Sequence, residues 1–260
     1  MSGLRIAVAG KGGAGKTTLS STLARLMARR GQRVIVIDGD SNPNVAVALG
    51  ASREAAAGLA PLPTSLVSRR LSGPGLVDSV DQVVADHGMP ASDGVTVMMM
   101  AMPAHADEGC LCSAHATVSA LLADAGAQDN TVTIVDLEAS PEHLSRGTTR
   151  HVDVLLLVVE PYFRSYETAR RMAELAAELP IPLVGVVANK LRRPDHAEAI
   201  SEFCDRHQLQ LLAEIPWSEA ALDGDASGVP LLDFAPEDGM VEAVGRLADR
   251  LLHGLVPAAL

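Results

Sequence analysis

The sequence predicts an α/β fold: a doubly wound, mostly parallel sheet flanked by helices. Three observations carry that prediction. Short apolar runs alternate with segments of helical periodicity along most of the chain. Hydrophobic residues make up 48% of the 260 residues and aromatic ones only 2%. A core of Ala, Val and Leu suits parallel strands covered on both faces. The first apolar run also leads directly into a glycine-rich loop and then a helix. Strands joined through helices imply right-handed crossovers. The length suits a single large domain over 1–260, with a variable insertion at about 51–94.

The first run, Ile6-Ala7-Val8-Ala9, reads as a buried strand. It is followed by GKGGAGKTT, Gly10 to Thr18, which fits G-x-x-x-x-G-K-[ST]. Leu19, Leu23, Leu26 and Met27 then share one helical face. Gly12, Gly13, Ala14 and Gly15 can bring backbone N–H groups close to a phosphate. The helix start adds partial positive charge there. Lys16 is expected to meet the β- and γ-phosphates, Thr17 to hold Mg²⁺, and Thr18 to complete the cradle. A plain glycine hairpin leaves Lys16-Thr17 at a helix start unexplained.

Val34 to Ile37 is the second strand, ending in Asp38-Gly39-Asp40-Ser41-Asn42-Pro43-Asn44. Carboxylates at the C-terminal edge of a strand lie where open α/β sheets bind ligands. A polar turn with a helix cap is the plainer reading of this segment. Residues 51–94 are punctuated by Gly and Pro, with a short helix expected around 76–85. Val95 to Met102 reads as a strand whose methionines suit an adaptable core better than a metal box. A helical pattern follows His115, and Thr131 to Val135 is a strand ending at Asp136, a position expected to hold Mg²⁺ through water. Val154 to Val159, a helix over 165–178, a strand over 183–188 closing on Asn189-Lys190, a strand over 211–215 before Pro216-Trp217, and a helix over 237–253 complete the pattern.

Lys11 directly follows the first glycine of the loop. The loop thereby resembles the deviant Walker A loop of the MinD/ParA and nitrogenase iron protein class of P-loop NTPases. That resemblance implies a nucleotide-dependent homodimer in which Lys11 reaches the partner's nucleotide. It implies Asp40 as the residue positioning the attacking water, Asp38 near the Mg²⁺ shell, and Leu137 to Pro141 as the second switch. It also implies Asn189 as the reader of adenine, flanked by Pro216-Trp217. The catalytic set is then Lys11, Lys16 and Asp40, acting on ATP. Ser140 stands where the class usually has glycine, a departure within the second switch.

Cys110 and Cys112 form a C-x-C before a helical segment. The motif alone is weak, because thiols pack readily in cores. A helix start favours thiolates. Two soft ligands fill half of a four-coordinate shell, and the implied dimer would supply the other half. The deviant loop, Asp38-Gly39-Asp40, the C-x-C and Glu142 to Thr148 together resemble the CooC-type nickel-insertion ATPases that mature carbon monoxide dehydrogenase. This resemblance implies Zn²⁺ or Ni²⁺ held by Cys110 and Cys112 at the dimer interface, and a nickel metalloenzyme as client. His105 and His115 read as polar loop or helix-start residues, Cys204 as a packed core thiol, and Glu142 with His143 as a solvated helix face.

The net charge of −11 and pI of about 5.1 argue against a nucleic-acid surface. Membrane attachment through a basic C-terminal helix is disfavoured, since acidic residues outnumber Arg246 and Arg250 there. The absence of a signal peptide or an apolar run of about 20 residues points to the cytoplasm, with reduced or metal-bound thiols. A MinD/ParA-type positioning ATPase and a redox partner like the nitrogenase iron protein are the competing readings. C-x-C spacing suits a single metal ion better than an iron–sulfur cube.

Overall fold

The computed structural model describes residues 3–70, 73–101, 111–140 and 142–253. In chain order the elements are β1 (Leu4–Gly10), α1 (Lys16–Arg29), β2 (Arg33–Gly39), α2 (Val45–Ala48), α3 (Arg53–Ala57), β3 (Val67–Arg70) and β4 (Gly73–Leu76). Next come α4 (Val80–His87), β5 (Met89–Pro90), β6 (Thr96–Met99), α5 (Cys112–Ala125), β7 (Thr131–Leu137), α6 (Glu142–Ser145) and β8 (Val154–Val159). The chain continues through α7 (Phe163–Ala176), β9 (Leu183–Leu191), α8 (Pro194–Arg206), β10 (Gln210–Pro216), α9 (Glu219–Ser227), α10 (Leu231–Phe234) and α11 (Gly239–His253).

The main sheet has eight strands in the order β10-β9-β8-β1-β7-β2-β6-β5. Every neighbouring pair is parallel except β5 with β6. The predicted doubly wound sheet is therefore observed. Connections run outward in both directions from β1, so its C-terminal end is a switch point where ligands bind. Alternate side chains of each strand enter opposite cores. Ile6, Val8, Val34 and Val36 pack with α1 and α11 on one face, while Ala7, Ile35, Ile37 and Val135 pack with α5 on the other. Cys204 lies in that second core, as expected.

Element boundaries shift where a polar side chain takes an unforeseen role. The helix expected from 165 begins at Phe163, because the Ser165 hydroxyl accepts from Glu160 N–H at 2.9 Å instead of capping the helix. The helix expected around 76–85 begins at Val80, capped by Ser79, whose Oγ accepts from Gln82 N–H at 3.2 Å. Leu76 belongs to the β3–β4 hairpin. The last helix begins at Gly239, since Asp238 Oδ1 caps Met240 N–H at 2.8 Å. The strand read as Val95 to Met102 covers Thr96–Met99, and Met102 lies outside the described residues. Met98 and Met100 are buried in the core.

The segment 51–94 is tied to the nucleotide-loop helix. Arg25 of α1 is buried and donates to Asp93 and, with two nitrogens, to Asp233 of α10. A buried guanidinium needs such pairing, so this triad fixes α1 against both neighbours.

Candidate nucleotide and metal site

The loop Lys11–Gly15 bridges β1 and α1 at the switch point. Gly15 has φ +93, and a Cβ there would meet Asn189 Nδ2 at 2.5 Å. Glycine is required both for the turn and for that close approach. Ala14 N–H returns to Lys11 O at 3.1 Å, closing the loop. Lys16 opens α1 and is only 7% exposed, close enough for its charge to act on Asp136. Gly12 and Gly13 are exposed, and Thr17 and Thr18 half-buried.

Two carboxylates stand beside it at paired positions of β2 and β7, Asp38 opposite Asp136. Asp136 is buried and accepts from Thr17 Oγ1 at 2.6 Å and Ser20 Oγ at 3.0 Å. Burial pushes its carboxyl up to about 7. The hydroxyl of Thr17 opposes this, while the charge of Asp38 adds to it. Asp38 accepts from the N–H groups of Asp40, Asn44 and Val45. Burial lifts it to about 6 in spite of those bonds. Asp38 therefore shapes the loop 38–44 and caps α2. Asp40 is half-buried, its Oδ1 accepting from Asn42 N–H at 2.9 Å.

Thr17 and Asp136 offer hard oxygens of the kind Mg²⁺ prefers. A cation needs the Asp136 carboxylate ionised, and a proton competes for it below about pH 7. Mg²⁺ affinity, titrated in the presence of ADP, is thus expected to fall as pH is lowered from about 8 to about 6, approaching ~10-fold per unit below the pKa. In Asp136→Asn the residual affinity should fall less steeply, by the part that Asp38 and the terminal phosphate of ADP contribute. A wild-type profile no steeper than the variant's would remove Asp136 from the cation site.

Asn189, at the end of β9, is buried and donates from Nδ2 to Ala14 O at 2.7 Å. Its Oδ1 has no hydrogen-bond partner among the described residues, leaving an acceptor beside the loop. Trp217 follows β10, with the Arg192 guanidinium stacked 3.7 Å over its ring. Lys11 is half-buried, its Nζ 5.7 Å from the ring centroid of its own Tyr162.

The loop after β7 lies against the nucleotide loop. A Cβ on Gly12 would stand 3.6 Å from the Ala139 methyl group. Glu138 accepts from Ser41 Oγ at 3.1 Å, joining this loop to the segment after β2. Ser140 Oγ accepts from Glu142 N–H at 3.2 Å, and so introduces α6. Cys112 is the exposed first residue of α5. Arg146, just after α6, donates to its Sγ at 3.1 Å. Cys112 is disulfide-bonded in this structure. Cys110 and His105 lie outside the described residues.

Residues 6–231 match the model of the CobQ/CobB/MinD/ParA nucleotide-binding domain. The carbon monoxide dehydrogenase accessory protein CooC of Rhodospirillum rubrum is 35% identical over 90% of this chain and 91% of its own. The chain belongs to this family, as an ATPase of CooC type. Among solved structures, the MinD cell division protein of Aquifex aeolicus superposes with a TM-score of 0.70, at 17% identity, covering 99% of this chain and 100% of that one. MinD of Pyrococcus horikoshii, complexed with Mg-ADP, gives 0.69 at 19% identity, with coverage of 99% and 100%. At these identities the structures share the fold.

For this CooC-type ATPase, one histidine reading is corrected. His143 does not belong to a solvated face. It is 2% exposed, because α6 turns it under the sheet edge while Glu142 faces solvent. Burial, reinforced by neighbouring His115, holds it down at about 4. His115 is likewise buried within the first turns of α5, its Nδ1 2.7 Å from Thr148 Oγ1. Burial lowers its pKa too. Cys204 is a buried thiol pushed up to about 11 by burial, far from thiolate reactivity.

The sequence reading missed a brace around the loop. Lys190 Nζ donates to Gly13 O and pairs with Glu160 Oε1 at 2.9 Å. Glu160 also accepts from the Tyr162 hydroxyl at 2.9 Å. Lys190 and Glu160 were visible only as polar residues at strand ends. Their meeting depends on β8 and β9 being neighbours, which no local pattern reveals.

Proposed function

We propose that this ATPase is a dimeric metal-insertion factor that delivers nickel to a carbon monoxide dehydrogenase-type enzyme. The observation that carries the reading is the position of Cys112 at the start of α5, in contact with Arg146 from the segment that follows Asp136. A soft ligand thereby sits beside the switch of a nucleotide site. The similarity to an accessory protein of carbon monoxide dehydrogenase supports the choice of client.

In this reading ATP and Mg²⁺ occupy the loop Gly12 to Thr18, with Thr17 and Asp136 near the cation and Asn189 at the base. Lys11 leaves Tyr162 to reach the partner's γ-phosphate, and Asp40 positions water. Closing a dimer from a 1:99 to a 99:1 population takes about 5.5 kcal/mol of differential binding. A γ-phosphate held by both switches and by Lys11 in trans is the source. Cys110 and Cys112 of both subunits then hold the Zn²⁺ or Ni²⁺ cargo, and hydrolysis loosens them. Lys11→Gln is expected to bind ATP and remain monomeric with it by light scattering. ATP-driven dimerisation equal to wild type would refute the trans role.

The positioning alternative gains little from the last helix. The apolar face of α11, including Val241, Val244 and Leu247, is committed to the core. No helix among the described residues is long and apolar enough to cross a membrane. The deciding experiment is reconstitution of a nickel-free client with Ni²⁺, this protein and ATP. Activation should require hydrolysis, and neither DNA nor anionic vesicles should sediment with the protein at physiological salt. ATP-dependent vesicle binding without client activation would overturn the insertion reading.

A further inference from the structure

His143 is buried beside the nucleotide site, yet no step of hydrolysis uses it. It belongs to α6, which follows the loop after Asp136. A Cβ built on Gly39 would lie 3.3 Å from His143 Cε1, so the ring fills the space against the end of β2. That strand end opens directly into Asp40 and its loop. On its other side the ring meets His115 edge-on, with centroids 4.7 Å apart and planes at 76°. His115 stands in α5, one turn beyond Cys112, with its N–H bonded to Leu111 O at 3.0 Å.

Thr148 closes this cluster. Its hydroxyl lies 2.7 Å from His115 Nδ1, and its N–H donates to His143 O at 3.0 Å. All three residues are buried. Two ring nitrogens, His115 Nε2 and His143 Nδ1, have no hydrogen-bond partner among the described residues. Buried polar atoms without partners are costly. An apolar pair would fill the same space without that cost, so the cluster is more than packing. Arg146, one turn after Glu142, contacts Cys112 from the same side.

We propose that His143 and His115 are positioning residues that convert the state of the nucleotide into a displacement of the first turn of α5, and so of Cys112. A γ-phosphate draws the loops after β2 and β7 toward itself, and His143 packs against Gly39, from which the first loop begins, while belonging to the segment that follows the second. Close-packed interiors do not absorb such shifts by compression. The displacement passes to the one ring that His143 abuts edge-on, and from it to α5. Coupling of this kind needs elements with discrete arrangements, and the unpartnered nitrogens give the pair a second set of hydrogen bonds to adopt. The purpose of the relay rests on the metal reading of the cysteine pair; its existence does not.

The test uses reduced full-length protein carrying Lys11→Gln, so that burial by a partner subunit does not enter. The rate of alkylation of the cysteine pair by iodoacetamide is compared with Mg-ADP and with a non-hydrolysable ATP analogue bound. The rates are expected to differ by about fivefold or more, the range of ordinary coupling between sites. His143→Gln and His115→Gln should bring the ratio to unity while ATP affinity is retained. Thr148→Ser, which keeps the hydroxyl, should preserve it, and Thr148→Val should reduce it. A ratio of one before the histidines are changed, or an unchanged ratio after, overturns the proposal. Zn²⁺ binding is measured separately. A nucleotide-dependent rate in a protein that binds no Zn²⁺ keeps the relay and removes its cargo.

Discussion

Asp40→Ala protein is expected to bind ATP as wild type does, to lose turnover, and to accumulate as a dimer. Lys16→Ala is expected to lose ATP binding altogether. The two outcomes differ because the two side chains stand in different places. Lys16 is buried within the loop between β1 and α1. As part of the expected cradle its ammonium would be the main neutralising partner of the phosphate charge. Asp40 is half-buried on a loop whose shape is set by Asp38, through three backbone N–H groups. Alanine at position 40 gives up the bond from Asn42 N–H and leaves the three to Asp38 in place. What it removes is the carboxylate able to orient water, a contribution of about 10²–10⁴ in rate for a positioned base. Phosphate release, ATP affinity by calorimetry and mass by light scattering separate the cases. Wild-type turnover in Asp40→Ala would take the attacking water away from this residue. An Asp38→Asn variant gives a useful contrast: it perturbs the loop itself, so binding and turnover should decline together.

The sheet and the nucleotide loop were legible in the sequence for a physical reason. Parallel strands buried on both faces read as apolar runs, and a glycine loop between strand and helix is local in the chain. Asp136 was legible because strand ends are. Residues 51–94 were legible only at α4, where Val80 and Val83 stand at helical spacing; Leu62 and Leu66 enter the same core beside Met98 and Met100 from outside any long helix or strand. Arg25 gives a sharper case. On a helix it reads as a surface cation, and only its partners Asp93 and Asp233, distant in sequence, account for its burial. His143 and His115 escaped for a similar reason. Glu142 of α6 and Arg146 just after it form an exposed pair and make that helix look solvated. One turn of helix also carries the buried residues between them. Polar type alone does not distinguish the two faces.

Reduced protein is expected to bind one Zn²⁺ or Ni²⁺ per dimer, through Cys110 and Cys112 of both subunits. Among the described residues no cluster of three or more His, Cys, Asp or Glu is placed to hold a metal. A two-fold axis doubles the cysteine pair to the four thiolates that a tetrahedral ion takes. Cys112 is exposed at a helix start with Arg146 against its sulfur. Binding displaces thiol protons, so affinity should fall as pH falls. Cys110→Ser and Cys112→Ser are each expected to lose the metal and keep ATP affinity, because neither residue belongs to the nucleotide loop. Cys204→Ser should leave metal content unchanged, since that thiol is buried in the core on the α8 side. Elemental analysis and titration of reduced protein, with and without an ATP analogue, give the stoichiometry. One ion per monomer, or full metal content in the double serine variant, would refute the shared site. Four irons per dimer would favour a redox partner, and no tight metal at all would return the cysteine pair to packing.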